Sequence, residues 1–159
     1  MEPPARDIEM RRESPASRAA RKLISALNDE LLRLYPEDGT AEHFGLEPDE
    51  VVLGRGAFLV AYDGSVPLGC GAIRLIAADT AEIRRMYVAP IIRGQGLGRR
   101  VLEALEAEAR AFGVTRIVLE TGPRQPEAIA LYARAGYSEI APFGEHVSSP
   151  LSVFMGRDL

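Results

Sequence analysis

The stretch AEIRRMYVAPIIRGQGLGRRVLEALEAEARAF, residues 81–112, decides how the rest of the chain is interpreted. Its first part, residues 81–88, predicts a β-strand, and residues 89–92 form a short connection that contains Pro90. The hexapeptide RGQGLG, residues 93–98, then opens a helix that reaches Phe112 with apolar residues at helical spacing. A glycine-rich turn between a strand and a helix is an element from which anion sites are built.

The composition of this turn indicates what it binds. Glycines at positions 94, 96 and 98 leave the backbone uncrowded, so that its N–H groups can approach an anion from the helix N-terminus. Arg93, with Arg99 or Arg100 nearby, can add charge-assisted hydrogen bonds to a phosphate. The residues therefore predict a phosphorylated ligand.

Three classes of glycine loop compete for this position. A Walker loop requires a lysine, and none lies near it. A dinucleotide fingerprint requires a third glycine where Arg99 stands and a tighter turn than residues 89–95 allow, although Glu120 lies roughly where a ribose-binding acid would be. The third class is an acyltransferase loop, and it fits without adjustment.

The chain resembles the GNAT acyltransferases. Their signature, Arg/Gln-x-x-Gly-x-Gly/Ala after a strand, matches Arg93, Gly96 and Gly98, and the flanking segments AEIRRMYVAP and AIALYARAGY (residues 128–137) match in order. The resemblance covers at least residues 58–137. It implies an acyl-CoA-dependent N-acyltransferase whose cofactor is acetyl-CoA and whose acceptor is a small-molecule or peptide amine.

The resemblance also assigns the cofactor contacts. It implies that the main chain of Met86, Tyr87 and Val88 holds the pantetheine arm, in a gap between the strand of residues 81–88 and that of residues 116–120. The N–H of Val88 would polarise the thioester carbonyl. The remaining implied contacts, most of them to the pyrophosphate, are Arg93, Gly94, Gln95, Gly96, Leu97, Gly98, Arg99, Gln125 (where the family commonly has Asn), Tyr132 and Arg134.

Two side chains are implied to move protons. Tyr132 matches the family's general acid, and the alternative is that it only packs its helix on the sheet. Glu82 matches a position where some relatives carry a general base, and the alternative is an ion pair with Arg84 that only shapes the pocket. Alternation along the strand predicts that Glu82, Arg84 and Met86 share one face.

The remaining segments predict an α/β (α+β) fold with a mixed, mostly antiparallel sheet of six to seven strands flanked by about four helices. Ser17 is expected to cap a helix that ends before Pro36, and Asp63-Gly64 to form a hairpin turn. Beyond residues 81–112, the predicted strands are 7–13, 57–63, 66–77, 116–120, 137–141 and 151–158, and the predicted helices are 17–35 and 126–135.

Composition limits the class of protein. A chain of 159 residues with 47% apolar and 26% charged residues fits a single globular domain, residues 1–159. A net charge of −4 gives no reason to expect nucleic acid, and neither a membrane span nor a secretory signal is visible. The lone Cys70 fits the cytoplasm and is expected to be a buried apolar side chain. His43 and His146 lack metal-ligand spacing, so no metal is expected.

The acceptor is not specified by these patterns. The acidic residues between Asp29 and Glu50 could attract a cationic amine, and Glu145 or His146 could border the acceptor site. A homodimer is common among similar proteins. Two other functions stay open at this point, which are a non-catalytic acyl-CoA sensor on the same fold and a nucleotide oxidoreductase.

Overall fold

The computed structural model describes residues 7–36, 55–143 and 151–159. These residues form seven strands, three α-helices and one 3₁₀ turn, Pro90–Ile92. In chain order the elements are β1 (Ile8–Arg12), α1 (Arg18–Leu34), β2 (Gly56–Asp63), β3 (Val66–Ala77), β4 (Thr80–Val88), α2 (Leu97–Ala111), β5 (Arg116–Thr121), α3 (Pro126–Arg134), β6 (Ser138–Glu139) and β7 (Val153–Asp158). The predicted elements are confirmed to within a few residues, except that β6 is shorter than expected.

All seven strands belong to one sheet, in the order β1-β2-β3-β4-β5-β7-β6. The pairs from β1 to β4 are antiparallel, β4 and β5 are parallel, and β7 lies antiparallel between β5 and β6. Parallel neighbours need a long crossover, which α2 provides between β4 and β5. The prediction of a mixed, mostly antiparallel sheet is therefore confirmed.

The helices cover both faces of the sheet. Alternate residues of β2 point to opposite sides, so that Leu59 packs in the cluster of α2 and α3 while Phe58 and Val60 pack in the cluster of α1. The α1 cluster is the smaller of the two, and Leu23 and Leu27 anchor the helix in it.

The helix boundaries follow from local sequence signals. The Ser17 hydroxyl accepts a hydrogen bond from the Ala20 amide at 3.1 Å, which caps α1, and Pro36 follows the end of that helix. Pro126 opens α3 at a position where its missing N–H costs nothing. Among residues 7–36, 55–143 and 151–159, no helix is long and apolar enough to cross a membrane.

A β-bulge interrupts β4 where it faces β3. Between the pairs Cys70–Tyr87 and Ala72–Arg84, β3 contributes one residue and β4 contributes two. One of these two, Arg85, has a φ of 55°, in the left-handed region that is unfavourable for a residue with a side chain. An inserted residue of this kind bends the strand and changes which face the later side chains occupy.

The bulge overturns the predicted distribution of side chains on β4. Met86 packs together with Ile83 in the α2 cluster, whereas Tyr87 belongs to the α1 cluster. The prediction that Glu82, Arg84 and Met86 share a face was therefore wrong for Met86. Alternation with a period of two holds only where no residue is inserted, and Glu82 and Arg84, which precede the insertion, do stay on the α1 face.

Candidate active site

The parallel strands β4 and β5 stop pairing toward their C-terminal ends. Their ladder runs from the pair Thr80–Arg116 to the pair Ile83–Leu119, and β4 then continues to Val88 without a described strand partner on the β5 side. A gap in the strand pairing is thereby left beside the second half of β4. The gap is what an extended ligand needs in order to pair with β4 as an added strand.

The amide of Val88 points into this gap. The next amide, that of Ala89, donates to the carbonyl oxygen of Leu68 at 2.8 Å, on the β3 side. Because successive residues of a strand direct their backbone groups to opposite sides, the Val88 N–H and C=O face away from β3. The geometry thus places Val88 as a candidate donor to a carbonyl oxygen lying in the gap.

The glycine loop follows directly at the end of the gap. Gly94 and Gly96 have φ values of 81° and 83°, which only glycine adopts without strain, and an added Cβ at either position would meet no atom within 4 Å. Gly96 is also the N-cap of α2, and no side chain caps this helix. The loop therefore presents bare backbone to an open space.

The amides of this loop form a candidate anion site. Within the described residues, the N–H groups from Gly94 to Arg99 donate to no protein acceptor, and the first intrahelical bond runs from Arg100 to Gly96. These donors lie at the positive end of the α2 dipole. They fit a diphosphate, which needs several donors and no intervening side chain.

The basic side chains of the loop make protein contacts instead of extending into the open space. The Arg93 Nε donates to the carbonyl oxygen of Val88 at 2.9 Å, and its Nη2 lies 2.8 Å from a carboxylate oxygen of Glu30 on α1. Arg99 pairs with Glu103 at 3.1 Å, one turn along α2. The sequence had indicated phosphate contacts for both guanidinium groups.

Gly98 brings three elements of the site together. A Cβ at this position would lie 3.2 Å from Leu131 of α3 and 3.7 Å from Val88, so the absent side chain lets the start of α2 pack closely on both. Leu97, beside it, is buried. The start of α2, the end of β4 and α3 therefore pack against one another at this point.

Tyr132 is enclosed by the apolar core. Its side chain is 6% exposed, and burial raises the pKa of its phenol well above the ordinary value. Its ring meets that of Tyr137 edge to face, with centroids 5.9 Å apart. Among the described residues, none accepts a hydrogen bond from the Tyr132 hydroxyl.

A buried polar network supports this aromatic pair. The Tyr137 hydroxyl donates to Glu106 at 2.9 Å, and Arg157 donates to the same carboxylate oxygen at 2.8 Å. Glu106 is 4% exposed. The pKa of the Tyr137 phenol is raised by the burial of that phenol and by the negative charge of Glu106. Sequence reasoning missed this network, although Glu106 lies on the helix stripe of Leu102, Leu105 and Ala109, where a charge signals a buried partner.

Glu82 lies on the α1 face of β4 and is 5% exposed. One of its carboxylate oxygens accepts a hydrogen bond from the Arg74 Nε of the neighbouring strand at 2.9 Å. The pair lies across the ladder at directly opposed positions. Glu82 is thus a buried carboxylate held by a cation on the α1 face of the sheet.

Two other predicted contacts lie at the ends of α3. Gln125 is the N-cap residue of α3 and lies just after β5, and Arg134 is exposed on the last turn of α3.

Cys70 is fully buried, as predicted, and burial raises the pKa of its thiol to about 12. The described residues contain no cluster of three or more side chains that could hold a metal.

Several predicted acceptor-side residues lie outside the described ranges. These are Glu145, His146 and the part of the acidic segment from Glu37 to Glu50, and His43 also lies outside the described ranges. Of that acidic segment, Asp29 and Glu30 are described, and Glu30 is the partner of Arg93.

Comparisons with known proteins agree with this geometry. The model of the Acetyltransferase (GNAT) family matches residues 23–137. The IAA acetyltransferase of Azospirillum brasilense is 40% identical over 157 residues, which are 96% of this chain and 99% of that protein.

Solved structures have the same fold. An acetyltransferase from Streptococcus agalactiae superimposes with a TM-score of 0.78 at 22% identity, covering 96% of this chain and 98% of that one. The PaiA N-acetyltransferase of Thermoplasma acidophilum, crystallised with coenzyme A, gives a TM-score of 0.72 at 18% identity, with 96% and 99% covered.

Proposed function

Because the chain belongs to the GNAT acetyltransferase family, we propose that it transfers the acetyl group of acetyl-CoA to a primary amine by direct attack within a ternary complex. The family is one of N-acetyltransferases, and acetyl-CoA is its cosubstrate. The single observation that carries the proposal is the arc of free amides from Gly94 to Arg99, at the end of the gap between β4 and β5.

The proposed cofactor contacts follow from this arrangement. The amides of the glycine loop bind the diphosphate, and the exposed backbone of β4 from Met86 to Val88 pairs with the pantetheine arm. Gln125 and Arg134 lie at the two ends of α3 and supply the outer contacts. Acetyl-CoA supplies a thioester whose carbonyl carbon accepts the amine.

Val88 and Tyr132 have distinct proposed roles. The Val88 N–H donates to the thioester oxygen as negative charge develops there, and one such donor contributes about 10²- to 10³-fold in rate. Tyr132 donates its phenolic proton to the departing sulfur. Burial keeps this phenol protonated at and above neutral pH, since the charged tyrosinate is disfavoured in an apolar site.

Glu82 is the proposed acceptor of the amine's proton. It is the buried carboxylate of β4, on the α1 face next to the bulge. Its ion pair with Arg74 keeps the carboxylate in place, so that a proton can reach it directly or through one water molecule.

Replacing Tyr132 with Phe tests the proposed function. We expect kcat to fall by about 10²-fold or more, with the Kd for CoA unchanged, because only the proton donor is removed. Steady-state kinetics and calorimetry measure the two quantities. The substrate for these assays comes from an acceptor screen with small amines, amino acids and peptides. The screen also includes IAA, because the Azospirillum relative is named an IAA acetyltransferase.

Tyr137→Phe is the matched control for this experiment. It also removes one phenolic hydroxyl, but it breaks a hydrogen bond to Glu106 and is expected to lower stability by about 1–2 kcal/mol with kcat within a few-fold of wild type. If Tyr132→Phe kept its kcat, or if both variants lost kcat equally, the proposed acid would be wrong.

A further inference from the structure

The glycine loop is held at two places within the described part of the chain. At its end, the Leu97 side chain is buried in the core. At its start, the Arg93 side chain is fixed by its bonds to Val88 and Glu30. Between these two points, residues 94–96 are exposed, and both glycines adjoin open space. The conformation of the amides therefore depends on how well the two ends are held.

Arg93 joins three parts of the molecule through one guanidinium group. Val88 ends β4, Glu30 lies on α1, and Arg93 itself begins the loop. The Cζ of Arg93 lies 5.6 Å from the centroid of the Tyr87 ring, so the group also has an aromatic contact. Glu30 is the anionic member of this arrangement, and its side chain is only 23% exposed.

We propose that Glu30 is a positioning residue for cofactor binding, which acts through Arg93 to hold the glycine loop in the conformation that presents its amides. The proposal rests on the proposed function, since it takes the loop to be the diphosphate site. In this proposal, the Arg93 side chain attaches the start of the loop to β4 and α1. The phosphate contact that the sequence had indicated for its side chain is then unnecessary.

The opposite effect of Glu30 is also physically possible, and the two effects differ in sign. If the Arg93 guanidinium turned to the diphosphate on binding, Glu30 would compete with the phosphate, and its neutralisation would tighten binding. If Glu30 holds the loop, its neutralisation weakens binding. The sign of the change in Kd therefore decides between them.

Glu30→Gln is the test, with calorimetric titration of CoA as the measurement. A partly buried ion pair contributes little more than an exposed one, so we expect the Kd to rise about fivefold. Turnover of S-acetylpantetheine, which lacks the diphosphate, should keep its kcat/KM, because the loop plays no part in binding it. A loss with both substrates would indicate general damage to the site and would overturn the proposal, as would a tighter Kd for CoA.

A double-variant comparison tests whether Glu30 acts through Arg93. Arg93→Gln should raise the Kd for CoA about tenfold, because the Val88 contact is lost as well. The variant that carries both substitutions should then bind no more weakly than Arg93→Gln alone. Losses that multiply would show that Glu30 acts independently, and the proposal would be wrong.

Glu108→Gln serves as the matched control. It removes one carboxylate from an ion pair of α2 with Arg12, away from the loop, and should leave the Kd for CoA unchanged. The wild-type protein separates the two levels of inference. If it failed to bind CoA, the proposed function would fail, whereas CoA binding that Glu30→Gln left unchanged would refute only the positioning role.

Discussion

The glycine loop and the bulge of β4 are two irregular segments of backbone at one site, and they are built in different ways. In the loop, the left-handed residues are Gly94 and Gly96, which adopt positive φ without steric cost. In the bulge, the left-handed residue is Arg85, whose side chain makes this conformation unfavourable by about 1–2 kcal/mol. The first irregularity is encoded locally, and the second is imposed by the surrounding sheet.

The surroundings of the bulge explain how it persists. The Cys70 thiol donates to the carbonyl oxygen of Arg85, with the sulfur 3.4 Å away. Gly71, the residue of β3 opposite the insertion, has no side chain and so leaves space that Met86 and Leu105 fill. Strained residues survive where the rest of the structure determines their conformation, and they cluster at functional sites. The sheet determines the conformation of the bulge in this way, and the bulge turns Met86 away from the α1 face.

Gly96→Val is expected to have the largest effect, because it disrupts the glycine loop, whose conformation is encoded locally. A β-branched residue cannot easily adopt a φ of 83°, and its side chain would enter the open space in front of the amides. Losing two or more charge-assisted bonds should raise the Kd for CoA at least about 100-fold. Calorimetric titration measures the change.

Gly64→Val is the control for that prediction. Gly64 has a φ of 60° in the hairpin between β2 and β3 and also adjoins open space, so the backbone strain is similar and no ligand is involved. Both variants should lose about 1–2 kcal/mol in the free energy of unfolding. Equal CoA affinities for the two would mean that the loop does not bind the diphosphate.

The same contrast explains what the sequence could predict. The elements were predictable because Ser17, Pro36, Pro126 and the glycines act on their immediate neighbours. The glycine loop was predictable for the same reason. The direction of Met86 was not, because it depends on a register shift between two strands that no local pattern reveals.

Some side chains of the candidate site are positioned by partners that are distant in the sequence. The phosphate contact expected of Arg93 came from its place in the loop, but Glu30, far away in sequence, determines where its guanidinium lies. Glu106, Tyr137 and Arg157 come from α2, the connection between α3 and β6, and β7, and only the folded chain brings them together. Buried polar side chains such as these need hydrogen-bond or ion-pair partners. The sequence of one segment does not reveal which distant residues supply those partners.

Gly71→Ala is expected to have an intermediate effect, and it tests the support of the bulge. The added Cβ would lie 2.6 Å from Leu105 Cδ1 and 3.0 Å from Met86 Sδ, both inside the core. Overpacking of this kind should cost about 1–3 kcal/mol in the free energy of unfolding, measured with urea. Displacement of Met86 should also lower kcat/KM for acetyl-CoA.

A second substitution checks the cause of that loss. Leu105→Val shortens the side chain that the new methyl group meets, so the double variant should be more stable than the sum of the two single losses predicts. Additive losses would show that the added methyl group does not act through Leu105, and the close contact would then not be the reason for the glycine.

The smallest expected effect comes from exchanging Ala and Gly at the two neighbouring positions 84 and 85. At position 85, Gly should be more stable than Ala by about 1 kcal/mol, because Gly accepts a positive φ. At position 84, in the paired part of the strand, Gly should be less stable than Ala by about 0.5–1 kcal/mol. All four variants lack the arginine side chain, so its contacts cancel in each difference measured by urea unfolding. Differences of the same sign would mean that position 85 is not held in the left-handed conformation, and that the bulge relaxes once Arg85 is removed. Opposite signs would show that the sheet fixes this conformation whatever residue occupies it, as the contrast with the glycine loop requires.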